Sequence, residues 1–247
     1  MNQEIIHTIR WAAVMLVAVL GAARPGQAQD AKNSYPTSMA PLDQYLMDRN
    51  DEIALARSAA PPSIAKDATV LVLGKDGYET VVQGTNGFVC NVDRSWMDGF
   101  ENTPEFWNPK RRGPVCFNPE AAKTMVPLLT IRTRLALAGK SKLEMKEGLK
   151  AAVENGELPA IEPGGMSYMM SKQGHLSDRD GHWFPHLMFF APAKDAGTWG
   201  GDRPDSPVIG GSAARDPEPI AIFAVTVDKW SDGTPADDHS GVTDARA

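Results

Sequence analysis

The first part of the chain changes from a helical to a strand-like spacing of apolar residues. Apolar residues recur at helical spacing from Pro41 to about Ser58, which predicts a first helix that ends before Pro61-Pro62. Three short apolar runs follow, separated by Asp76-Gly77 and Asn86-Gly87, which are typical hairpin turns. We therefore predict a three-stranded antiparallel meander, over residues 68–74, 78–83 and 88–92.

The second part of the chain predicts two helices followed by three strands. Pro119 marks the start of a helix that continues to about Ala138. Ser141 and Glu144 form a capping-box pattern that begins the next helix, which ends near Asn155-Gly156. Three apolar runs then predict strands, over residues 166–170, 186–191 and 220–227.

The order of these elements predicts the fold class. Strands and helices are grouped along the chain instead of alternating, which favours an α+β fold over a doubly wound one. We predict an antiparallel sheet of about five to six strands with two to three helices packed on one face. The predicted division of the chain is a signal peptide, a flexible leader, a single α+β domain and a disordered tail, over residues 1–28, 29–40, 41–234 and 235–247.

The N-terminal segment has the pattern of a secretory signal peptide. Arg10 precedes the apolar run Trp11–Ala23, which is too short to span a bilayer as a helix. Small residues at Gly26 and Ala28 predict cleavage after Ala28. We therefore expect a periplasmic or secreted protein without a membrane anchor after cleavage, and a retained anchor is the alternative.

The two cysteines predict a disulfide, and the net charge limits the classes of binding partner. The chain has two cysteines, and an even number in an oxidising compartment predicts one disulfide, Cys90–Cys116, which would stabilise the fold by roughly 3–4 kcal/mol. Reactive or metal-bound thiols are the alternative, but they usually occur as C-x-x-C, which is absent. The net charge of -6 argues against nucleic acid or an anionic membrane surface as the main partner.

Histidines are concentrated in one short segment. His175, His182 and His186 lie close together along the chain, with Asp180 between them. Imidazoles beside carboxylates suit Zn²⁺ or another divalent metal, so these four residues are the candidate metal ligands. No H-E-x-x-H motif occurs, so the site would be built on a loop and a strand. The alternatives are a polar turn before a strand, or a histidine that acts as an acid or base.

A long segment without regular spacing, residues 93–118, is rich in aromatic residues. A loop of this length is functional or tied down, and the predicted disulfide would tie it. Aromatic faces beside acidic residues favour a sugar or cation site, and the alternative is a satellite core beneath the loop. The candidate ligand-binding residues are Trp96, Phe100, Trp107 and, outside this segment, Trp183.

Several segments resemble a group of uncharacterised exported bacterial proteins. The resemblance lies in Gly84–Cys90, Cys116, His186–Pro192 and Phe223–Thr234, and it covers most of residues 40–234. It implies export and a single domain, and it implies no catalytic residue.

The sequence lacks the G-x-S-x-G, P-loop and G-x-G-x-x-G motifs. The first hypothesis is therefore a non-enzymatic periplasmic protein that binds a small molecule or an envelope component. The second is a metal-binding protein or metal-assisted hydrolase that uses the His175–His186 segment. A structural partner of an envelope assembly is the third.

Overall fold

A computed structural model describes residues 35–101, 103–178, 181–200, 203–204, 209–210 and 217–236. The predicted signal peptide, the first half of the predicted leader and the tail from residue 237 lie outside these residues. Within the described part of the chain, no helix is long and apolar enough to cross a membrane.

The described residues form four α-helices, three 3-10 helices and eight strands. The α-helices are α1 (Arg49–Arg57), α2 (Pro62–Ala65), α3 (Pro119–Leu137) and α4 (Lys142–Glu154), and the 3-10 helices are Leu42–Gln44, Ser95–Met97 and Ala193–Trp199. The strands are β1 (Thr69–Gly74), β2 (Gly77–Val82), β3 (Val89–Asp93), β4 (Gly113–Phe117), β5 (Met166–Met169), β6 (His186–Pro192), β7 (Ile209–Gly210) and β8 (Ile220–Thr226).

These strands form one mixed sheet in the order β2-β1-β3-β4-β5-β6-β8-β7. Neighbouring strands are antiparallel except β1 and β3, which run parallel with Thr69 opposite Val89. The predicted α+β class is confirmed. The predicted sheet was wrong in two respects, because the observed sheet is mixed and has more strands than the five or six expected.

The predicted meander failed at the connection between β2 and β3. Thr85 N donates to Asp67 O at 2.8 Å, and Thr69 N donates to Phe88 O at 2.9 Å, so this connection crosses the start of β1. The chain then continues along the free edge of β1, parallel to it. A Cβ at Gly84 would collide with the backbone of Ala68 and Thr69, so the crossing requires glycine. Turn residues indicate a reversal of the chain, and they do not specify which edge receives the next strand.

Helices cover both faces of the sheet, not the single face expected. In β1, Val70 and Val72 pack in the cluster that contains Leu55 of α1. Leu73 lies in the other cluster, with Leu128 of α3. The alternation of side chains along a strand explains this division, and a continuous apolar run such as Thr69–Gly74 is typical of strands buried on both faces.

The predicted disulfide is confirmed and lies at the centre of the sheet. Cys90 of β3 and Cys116 of β4 are directly opposite each other, their Cα atoms are 4.0 Å apart, and both are fully buried. Strand β4 was not predicted, because Pro114 inside a strand removes a backbone donor. The structure accommodates it because β5 pairs only with Cys116 and Phe117, beyond which Pro114 has no strand on that side.

Local capping signals predicted the helices well, with one exception. Ser141 and Glu144 form the reciprocal capping box at the start of α4, and α3 begins at Pro119 as expected. The first helix was expected from Pro41, whereas α1 begins later, after Asp48. Tyr45 explains the difference, because its side chain is buried and its hydroxyl donates to the carbonyl oxygen of Trp107 at 2.8 Å.

The crossing over β1 predicts a strong effect of a single methyl group. We expect Gly84→Ala to lower the free energy of unfolding by about 2–4 kcal/mol, because backbone and not a flexible side chain occupies the position of the new Cβ. Gly197→Ala is the control, since nothing lies within 4 Å of its Cβ position. Urea denaturation of both variants measures the difference, and equal stabilities would contradict the crossing.

Candidate functional site

A cleft lies where β5 ends and β6 begins, beside described residues of the connection between these two strands. It is partly open to solvent, and its enclosed space of about 10 Å³ is of the size of one water molecule or ion. We call it the His186 cleft. Its lining residues are Pro114, Met169, Ser171, Gly174, Leu176, His182, Trp183, Phe184 and His186.

His186, the first residue of β6, is a buried polar residue of this cleft and is 1 % exposed. Its Nδ1 lies 2.9 Å from the carbonyl oxygen of Phe184. Because a carbonyl only accepts hydrogen bonds, Nδ1 carries a proton and Nε2 is left with its lone pair when the ring is neutral. Burial lowers the pKa of His186, which favours this neutral form.

Aromatic rings surround His186. Trp183 stacks on Phe184 at 4.6 Å between ring centroids and meets His186 edge to face at 4.9 Å. The Trp183 side chain is also 37 % exposed, so its ring can be reached from solvent. His182 packs edge to face against Trp230 at 5.1 Å. The rim of the cleft therefore offers solvent an indole and an imidazole.

His175 links two other segments of the chain. Its Nε2 lies 2.8 Å from Asp178 Oδ1, and its backbone exchanges two hydrogen bonds of 2.8 Å with Arg112. Asp178 N in turn donates to the Glu105 carboxylate. These contacts connect the segment after β5 to the segment before β4, and they bond His175 to the carboxylate of Asp178.

The structure therefore brings two of the four predicted metal ligands together. His182 and His186 share the cleft, while Asp180 lies outside the described residues. Among the residues that the structure describes, no group of three or more His, Cys, Asp or Glu is arranged to hold a metal ion. A divalent-metal site at all four predicted ligands stays a prediction.

Three of the four predicted ligand-binding aromatics lie in the hydrophobic core. Trp96, Phe100 and Trp107 are buried in one large cluster together with residues of α3 and α4, not in a separate core beneath the loop. Trp96 Nε1 donates to Thr133 Oγ1 at 3.1 Å. Of the four residues, Trp183 alone is exposed.

Sequence reasoning missed a set of buried charges beneath the long segment between β3 and β4. Arg94 and Glu52 form a fully buried ion pair of 2.9 Å. Arg132 of α3 bonds the carbonyl oxygens of Trp96 and Asp98 and pairs with Glu218. The available signal was Arg132 itself, because it occupies a core-facing position in the apolar pattern of α3.

Two carboxyl groups in the same region have raised pKa values. Burial raises the pKa of Asp93 to about 6, although the amide of Asn91 donates to it at 2.7 Å. Burial likewise raises the pKa of Asp98 to about 6, although Arg111 pairs with it at 2.6 Å. The Arg111 side chain is itself largely buried, at 17 % exposed.

The raised pKa of Asp93 predicts a specific pH dependence of stability. Between about pH 4 and pH 6 the native state keeps a proton that the unfolded state releases, so this residue lowers stability as the pH rises. We expect Asp93→Asn to increase the free energy of unfolding by about 1–3 kcal/mol at pH 7.5, with no gain at pH 4.

Urea denaturation at the two pH values measures this effect. Asp76→Asn, at an exposed hairpin turn, is the matched control and should show the same small change at both. A gain for Asp93→Asn that is equal at both pH values would contradict the burial of its charge.

No protein-family model matches the chain, and no curated protein and no solved structure matches it. No activity, ligand or partner can therefore be carried over from another protein. What the His186 cleft binds has to be inferred from its own side chains.

Proposed function

We propose that the chain is an exported, non-enzymatic protein that binds a small ligand in the His186 cleft. The observation that carries this proposal is a buried neutral imidazole beside an exposed indole, in one small concave site. Ligand sites are typically apolar clefts with a few fixed polar groups, and this combination has both components.

The lining of the cleft limits the charge of the ligand. Among the residues that the structure describes, nine line the cleft, none of them is Asp, Glu, Lys or Arg, and the two histidines are the titratable groups. Transfer of a multiply charged ligand from water into the cleft would be unfavourable, because no charged side chain of this lining would compensate for the lost hydration. The cleft is therefore suited to a neutral or singly charged ligand, held by the Nε2 lone pair of His186 and the ring of Trp183.

The hydrogen bonds of Ser171 favour binding over hydrolysis. The Ser58 hydroxyl donates to the carbonyl oxygen of Leu55, so in the 2.6 Å contact between the two serine hydroxyls Ser171 is the donor. Ser171 Oγ also accepts from Gln173 N at 3.1 Å. Its proton and a lone pair are therefore used in structural bonds, whereas a serine nucleophile has to donate to its base.

Two features support export. The disulfide Cys90–Cys116 is of the kind that persists in oxidising compartments. The leader before residue 29 has the charge, length and small residues of a signal peptide. Intact mass of protein recovered from the native host would reveal removal of the leader.

Trp183 gives the sharpest test of binding. We expect some members of a panel of neutral heterocycles, singly charged organic ions and single metal ions to raise the melting temperature of the wild-type protein. For each such ligand, Trp183→Ala should weaken binding at least about tenfold in calorimetric titration, because it removes an exposed aromatic wall of the site.

Trp199→Ala is the matched control, since Trp199 is similarly exposed, at 42 %, and stacks on Phe223 away from the cleft. It should bind within about twofold of wild type. Unchanged binding by Trp183→Ala, or no thermal shift with any member of the panel, would contradict the proposed function.

A further inference from the structure

A thioether and two imidazoles share the His186 cleft. Met169 of β5 is directly opposite His186 in the antiparallel pair of β5 and β6, and His182 lines the same space. Side chains of opposed residues lie on one face of the sheet, with Cβ atoms about 4.5–5.5 Å apart. The sulfur of Met169 and the ring of His186 can therefore approach a single atom between them.

The hydrogen bond to Phe184 prepares His186 for coordination. Histidines that bind metals usually donate their other ring N–H to a carbonyl or carboxylate, which fixes the ring and its tautomer. Here the carbonyl oxygen of Phe184 takes Nδ1–H, and Nε2 is the nitrogen left to bind.

The described lining of the cleft contains no carboxylate, which bears on the charge and softness of the ion that fits it. The cost of transferring an ion from water into an apolar site rises with the square of its charge, so an uncharged ligand set disfavours a divalent ion. Thioether sulfur selects soft ions such as Cu(I), and imidazole binds copper well. A set of one thioether and two imidazoles therefore fits a soft monovalent ion better than Zn²⁺.

We propose that the His186 cleft binds a soft monovalent metal ion of the Cu(I) type, ligated by Met169, His182 and His186. This inference rests on the proposed function, because it assumes that the cleft is the ligand site. The indole of Trp183 lies against His186 and covers one side of the space. Its electron-rich face can also attract a cation.

Silver(I) is the probe for this site, because it is soft, monovalent and stable to oxidation. We expect one Ag(I) per chain by equilibrium competition with a chromophoric chelator, and weaker binding of Zn²⁺ measured in the same way. Met169→Leu should weaken Ag(I) binding at least about tenfold, because it removes the sulfur while nearly conserving volume. Met188→Leu, in β6 itself but outside the lining, should bind within about twofold of wild type.

A second variant tests the same site at an exposed position, where a substitution should not unfold the protein. His182 is exposed, so His182→Asn should leave the fold intact and also weaken Ag(I) binding. No Ag(I) binding, wild-type affinity in Met169→Leu, or tighter binding of Zn²⁺ than of Ag(I) would overturn this inference. If another ligand still binds and loses affinity in Trp183→Ala, the proposed function stands and the metal assignment alone fails.

Discussion

The fully buried ion pair between Arg94 and Glu52 is the interaction on which the arrangement of the elements depends. Arg94 follows β3, and its guanidinium also donates to the carbonyl oxygens of Tyr45 and Val92. Glu52 of α1 accepts from Leu73 N of β1 with its other oxygen. Charges removed from water require such complete sets of partners, and loss of one partner typically costs 3–5 kcal/mol. The pair therefore fixes α1 against β1 and β3 and sets the direction in which the chain leaves β3.

This constraint explains why the long segment between β3 and β4 is structural. Once Arg94 is fixed below it, the aromatic residues that follow enter the core, and Arg132 holds the turn from within by bonding Trp96 and Asp98. The His186 cleft lies at another connection, the one from β5 to β6, of which the structure describes residues 170–178 and 181–185. Exposed indole, neutral imidazole and thioether meet at that connection, and the sheet supplies the rigid base beneath them.

Features that depend on residues near one another in the sequence were predicted more closely than features that depend on contacts between distant residues. Capping at Ser141 and Pro119 is decided within a few residues, so α3 and α4 were predicted closely, and two cysteines allow a single disulfide. The pairing of β3 with β1 depends on a backbone crossing at Gly84 that no local pattern reports. In the site, His182, His186 and Trp183 were predicted, but Met169 was not, because a methionine in an apolar run is usually a core residue. The register of β5 against β6 was needed to place it beside His186.

The protonation state of the His186 ring links the fold to the proposed binding function. Long-range ¹H–¹⁵N correlation spectra of uniformly labelled protein distinguish the two neutral tautomers and the imidazolium form, and the spectrum of His182→Asn would help to assign the His186 signals. At pH 7 we predict a neutral His186 ring protonated at Nδ1, with Nε2 free to bind a ligand. A ring protonated at Nε2, or one that is positively charged, would contradict the account of the cleft given above.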